Sequence, residues 1–105
     1  MYSLSLTPKQ KERKIVLGHE VRKHLVLLNT KLAVAADGQH LFNNPEQIPA
    51  DWKNIHNFYH FLGSIESDRY GEDRSWYLSW DGEFWLIRRN YLNDVFCNQY
   101  FIVVN

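Results

Sequence analysis

The chain has 105 residues, 45% hydrophobic and 15% aromatic, with twelve basic and twelve acidic side chains and a formal charge of zero. That length fits one domain spanning 1–105, able to bury a core without metal or disulfide staples. No apolar run approaches the roughly 18 residues of a membrane span, and the start lacks the long apolar segment of a secretory leader.

Cys97 is the only cysteine, which excludes an internal disulfide and leads to the expectation of a cytoplasmic protein. The zero charge hides a segregation. Up to Ala36 seven bases face two acids, and from Asp37 onward five bases face ten acids. Halves of opposite sign attract each other on folding, and the same split can turn one face toward an anionic partner.

Thr7, Pro8 and Gln10 form a helix start, with an N-cap threonine, proline at the first helical position and glutamine at the third. Leu17, Val21, Leu25 and Leu28 then recur at helical spacing within an arc of about 80°. An amphipathic helix over about residues 8–29 follows, basic on its outer face. Gly18 is a weak point costing about 1 kcal/mol against alanine.

Asp37-Gly38 is a tight-turn signal that predicts a hairpin over residues 31–42, with His40, Leu41 and Phe42 in the return strand. The rival is a first helix running on to Ala36 and capped by Gly38.

Residues 43–49 read as a loop. Trp52, Ile55, Phe58, Tyr59 and Leu62 span an arc of about 120° and predict a second helix over about 50–63, stopped near Gly63. Residues 65–75 carry six charges around Gly71 and read as an exposed, mobile loop.

A hairpin turning at Asp81-Gly82 comes next, pairing Trp80 with Glu83, Leu78 with Trp85 and Trp76 with Ile87. One face then holds Trp76, Leu78, Trp80, Trp85 and Ile87, enough aromatic surface for a core. The other holds Ser75, Tyr77, Ser79, Phe84, Leu86 and Arg88. It is too apolar to be bare and too polar to be sealed, which predicts partial cover.

A turn from Tyr91 and a doubly covered strand at Tyr100–Val104 end the chain. The expected class is α+β: an N-terminal amphipathic helix and a second helix packed on a mostly antiparallel sheet of about five strands.

The chemical readings are sparse. His56 and His60 fall four apart on the predicted second helix, but a zinc site needs further ligands from afar. The spacing of His19 and His24 is wrong for a metalloprotease helix. Cys97 has no neighbouring base and reads as a buried structural thiol. No nucleophile elbow, phosphate loop or dinucleotide fingerprint is present. No catalytic residue, metal or cofactor is therefore assigned; the chain leans toward a non-enzymatic protein, with a small metal-dependent enzyme as the less favoured reading.

Its expected role is protein binding, as a modulator, inhibitor, immunity-type or assembly factor. Contact would be made through an aromatic and arginine hairpin with its charged loop: Arg69, Tyr70, Arg74, Tyr77, Phe84, Arg88 and Arg89. The partner is another protein, with a second copy of the chain, as a homodimer, also a candidate. The alternative is a nucleic-acid-binding regulator using Lys9, Lys11, Arg13, Lys14, Arg22 and Lys23. Their spread around the helix and a pI near 7.0 weigh against it.

Overall fold

The computed structural model describes residues 2–105. The strands are β1 (Ser3–Ser5), β2 (Phe58–Ser67), β3 (Asp73–Trp80), β4 (Trp85–Tyr91) and β5 (Tyr100–Val104). They form one sheet in the order β1-β5-β2-β3-β4. All neighbours are antiparallel except β2 and β5, which run parallel. Three helices, α1 (Pro8–Lys11), α2 (Gly18–Leu27) and α3 (Ala35–Asn43), complete an α+β fold. Among the described residues no helix is long and apolar enough to cross a membrane.

The first predicted helix starts where its capping box places it. The Gln10 amide donates to Thr7 Oγ1, and the Thr7 amide donates to Gln10 Oε1 at 3.0 Å. It does not run to residue 29. Arg13 takes φ 58°, and the Lys14 and Arg13 amides return to the carbonyls of Lys9 and Gln10, closing α1 after one turn. α2 ends with the same motif at Asn29, φ 56°.

Gly18, the first residue of α2, abuts the segment between β4 and β5. A Cβ there would lie 2.7 Å from the Phe96 ring, so this glycine answers a close approach rather than marking a weak point.

Residues 31–42 are not a hairpin, nor do they extend the first helix. Residues 31–33 run against β5, with the Ala33 amide bonded to the Val103 carbonyl, and α3 follows as a separate helix. Asp37 sits at its third position, accepting the Val34 amide at 2.8 Å while Tyr2 Oη donates to its other oxygen at 2.7 Å. The Asp37-Gly38 pair is thus a helix start, and Gly38 lets the helix press on the Phe61 ring.

The predicted helix over 50–63 is a 3-10 turn (Ala50–Trp52) followed by β2. The run from Phe58 to Leu62 is aromatic or apolar apart from His60, and β2 lies between β5 and β3 in the middle of the sheet.

The β3–β4 hairpin pairs Trp80 with Trp85, Leu78 with Ile87 and Trp76 with Arg89. This register is two residues away from the predicted one, so each strand residue keeps its predicted face. Asp81 accounts for the longer loop by accepting the Glu83 and Phe84 amides at 2.8 and 2.6 Å. Those two amides, Phe84's first, hold the Asp81 carboxyl below the usual carboxylate range.

The predicted loop over 65–75 is mostly strand. Its remaining turn is tied by Asp68, which accepts the Tyr70 and Glu72 amides and the Tyr91 hydroxyl.

Each sheet face has its own core. Tyr59, Phe61, Leu78, Trp85 and Val103 face α3 and the 3-10 turn, packing with Leu41, Ile48 and Trp52. Leu62 and Ile102 face the other way, packing with Val21 and Leu25 of α2 and with Leu92 and Phe96 of the β4–β5 loop. The second core takes apolar side chains from β2 and β5 but none from β3 or β4.

Candidate functional site

Because α2 covers only the β5–β2 half of its face, the β3–β4 half stands open. Three registers fix what lies there: Phe58 opposite Ser79, His60 opposite Tyr77, and Tyr77 opposite Arg88. Leu86 and Asn90 complete the β4 row, and Tyr100 closes the β5 side beside Phe58. Phe58, Tyr77, Leu86, Asn90 and Tyr100 are half-buried and Arg88 is exposed. The partial cover expected of this face is what the fold delivers, through Phe96 and α2 at one end only.

At the centre lies His60. Its ring is wholly buried between Tyr77 and Tyr100, with centroids 5.1 and 4.9 Å away and planes within 29° and 25°. Phe96 lies against it at 4.6 Å. Neither ring nitrogen has a hydrogen-bond partner among the described residues. Burial pushes its pKa down to about 3, so the imidazole is neutral at ordinary pH. Beside it is a cavity of about 70 Å³, lined by Phe58, His60, Tyr77, Asn90 and Tyr100. Ser75 Oγ, on the same face of β3, is also buried without a partner.

The sequence-predicted contact residues do not form one patch. Tyr77 and Arg88 lie directly opposite each other on the open face. Arg74 and Arg89 point to the opposite face, where both pair with Glu66, at 3.3 and 2.8 Å, and Arg89 stacks over Trp76. Arg69 and Tyr70 stack on each other in the β2–β3 turn. Phe84 leaves the strand at the other end of the hairpin. It lines a groove of about 490 Å³ with Phe42, Lys53, Trp80 and Trp85.

The basic residues of the alternative reading are likewise divided. Lys9 and Lys14 are paired with Glu20 and Glu12. Arg22 Nε donates to the Leu62 carbonyl at 2.9 Å, which leaves Lys11, Arg13 and Lys23 outside these contacts. The attraction between the two charged halves is not made by close pairs either. Only the 3.9 Å contact of His19 with Asp73 joins them among the described residues.

His56 and His60 do not share a helix face: His56 is exposed in a turn and His60 is inside the sheet. Among the described residues no three His, Cys, Asp or Glu side chains come together as a metal site. Cys97 is exposed, not buried, because the β4–β5 loop carries it out beyond Phe96.

Phe58, Asn90 and Tyr100 were not singled out from sequence. Only the pairing of β2 with β3 and β5, and of β3 with β4, brings them into one row. No protein-family model, curated protein or solved structure matches this chain.

Proposed function

We propose that the protein is a non-enzymatic, cytoplasmic protein-binding module whose interface is the open half of the second sheet face. The observation that carries this reading is the uneven cover of one sheet. β3 and β4 present Tyr77, Leu86 and Arg88 with Phe58 and Tyr100 beside them, and no apolar side chain of β3 or β4 joins the core beneath α2, where β3 buries only Ser75 and Ser79. Tyrosine and arginine over a partly apolar floor are the residue types that anchor interfaces, because they add large contact area and hydrogen bonds together. Arg88 has no ion-pair partner among the described residues, so it selects for a partner that brings a carboxylate. This narrows the hairpin site to Tyr77 and Arg88, with Arg74 and Arg89 holding the ribbon to Glu66.

The test is affinity capture from a lysate of the source organism, with and without nuclease, using the natural chain and Arg88→Glu. One protein held at near-stoichiometric level, insensitive to nuclease and lost with Arg88→Glu at unchanged melting temperature, is the expected result. Capture that nuclease abolishes and Lys23→Glu weakens would overturn it in favour of the basic helix. Self-association lost with Arg88→Glu would identify the partner as a second copy.

A further inference from the structure

β4 is the last strand of the sheet, and its seven residues have β3 on one side only. We infer that its outer edge receives an extended, acidic segment of the partner protein as a sixth strand, with a carboxylate beside Arg88. The inference rests on the protein-binding reading for the partner and adds how that partner is held.

The phase of the edge follows from two bonds at its ends. The Asp81 amide bonds the Phe84 carbonyl and the Leu92 amide bonds the Asp73 carbonyl, both on the register that pairs Tyr77 with Arg88. Bonded positions alternate in an antiparallel pair, so Leu86, Arg88 and Asn90 turn their backbone toward β3. Trp85, Ile87 and Arg89 turn theirs outward, and none of the three makes a backbone bond outside the sheet among the described residues. Their amides and carbonyls form one row, the template that an added strand completes. The row ends at Tyr91, whose carbonyl takes the Asp94 amide.

The side chains choose the strand. Arg88 and Arg89 are both exposed at this edge. Arg89 is held by Glu66 at 2.8 Å, whereas Arg88 has no ion pair among the described residues. A second copy of the chain, paired antiparallel along the same edge, is opposed by its own charge. Centred on Arg88, such a pair sets the two Arg88 side chains directly opposite each other. Centred on Ile87, it sets them diagonally, about 7–8 Å apart. A segment with Asp or Glu at that position turns the repulsion into attraction, on the face that carries Tyr77.

The probes are acetyl-Thr-Glu-Val-Glu-Val-amide, its counterpart with lysine for glutamate, and the acidic peptide N-methylated at both valines. The last keeps every side chain but cannot donate along an edge. Each is titrated into the intact chain while hydrogen exchange of the backbone amides is followed by NMR. The acidic peptide should saturate and slow exchange at Ile87 and Arg89. Leu86, Arg88 and Asn90, already bonded to β3, should stay as they were. The lysine and N-methylated peptides should do neither, and Arg88→Glu should weaken the acidic peptide roughly tenfold by turning an ion pair into a like-charge pair.

No saturable binding of the acidic peptide would overturn the added strand. So would binding that leaves the Ile87 and Arg89 amides unprotected, or that N-methylation does not weaken. Partner capture that depends on Arg88 while these amides stay unprotected in the complex would keep the interface and remove the strand. Acidic peptide bound at the edge with no protein captured would keep the strand and remove the interface reading.

Discussion

His60 and Phe61 are neighbours on one strand, and both are wholly buried, yet the faces they enter are built differently. Phe61 enters a layer completed by a helix: Gly38 of α3 lies against its ring, and Trp52, Tyr59 and Trp85 pack around it. Tyr59 even satisfies its own hydroxyl there, donating to the Trp52 carbonyl at 2.7 Å. His60 enters a layer completed only by other rings of the sheet and by Phe96, and its polar atoms are left over. The α3 face is thus closed over its rings, and the proposed interface lies on the less covered His60 face. The described helices cover one face of the sheet and part of the other, and the uncovered half is the surface proposed to meet a partner.

The comparison breaks first at Phe61. Truncation to alanine removes a ring with no exposed surface and opens a cavity against α3, an expected loss of about 3–5 kcal/mol. Leu86→Ala on the open face should cost about 1 kcal/mol or less, because that side chain is only half-buried. Urea unfolding of both variants checks the difference. Equal losses would show that the open face is covered in solution.

Glycine substitutions come next. A Cβ on Gly63 would stand 2.6 Å from the Leu32 carbonyl oxygen and 2.8 Å from that of Ala33. Both are backbone atoms pinned by the Ala33 amide's bond to Val103 and the Gly63 amide's bond to Ala33. Gly63→Ala should destabilise by about 2–3 kcal/mol through forced displacement. Gly18→Ala should destabilise less, since the obstacle there is the Phe96 ring, a side chain that can give way. Helix propensity alone predicts the opposite sign for Gly18→Ala, a gain of about 1 kcal/mol. Thermal melting of the two variants decides between them.

These glycines show where sequence reading ran out. The capping box at Thr7, the strand at Tyr100 and the aromatic hairpin were legible because each signal is local, a cap, a run or an alternation. The strand at Phe58 was not. Trp52, Ile55, Phe58, Tyr59 and Leu62 fit a helical arc, and the same residues fit a central strand once β5 and β3 are placed beside it. Only long-range pairing chooses between the two periods. Asp37-Gly38 failed for the same reason, since an acid three positions into a helix and an acid in a tight turn look identical without their partners. The faces of the hairpin survived a register error because the error was two residues. The site itself, where residues from β2, β3, β4 and β5 meet, had no local signature at all.

The titration of His60 gives a third comparison. Its folded pKa, about 3, lies below the ordinary value of 6.5, so between those limits the unfolded chain holds a proton that the folded chain refuses. The resulting stability is fully present above pH 6.5 and is lost as pH falls toward 3, at up to about 1.4 kcal/mol per pH unit. Burial pushes the Tyr100 hydroxyl above its ordinary value, and no carboxylate lines the cavity. His60→Phe replaces the ring with one that cannot take a proton. Denaturant unfolding at a series of pH values should show a flatter acid limb for the variant, and identical slopes would show that His60 is solvated in the folded chain.

The smallest effect on stability belongs to Arg88, and it separates the two roles most cleanly. Its side chain is exposed at the β4 edge, opposite Tyr77, with no ion pair among the described residues, so Arg88→Ala should change stability by no more than about 0.5 kcal/mol. Arg89, one residue on, faces the other way over Trp76 and bonds Glu66 at 2.8 Å. Arg89→Ala should cost up to about 1 kcal/mol, because it loses an exposed ion pair and a stacked ring together. The two arginines thus have opposite expectations. Removing Arg88 should abolish partner capture and leave the melting temperature in place, whereas removing Arg89 should lower the melting temperature slightly and leave capture intact. If both variants lose capture alike, the interface wraps the β4 edge and takes in the α3 face as well as the His60 face.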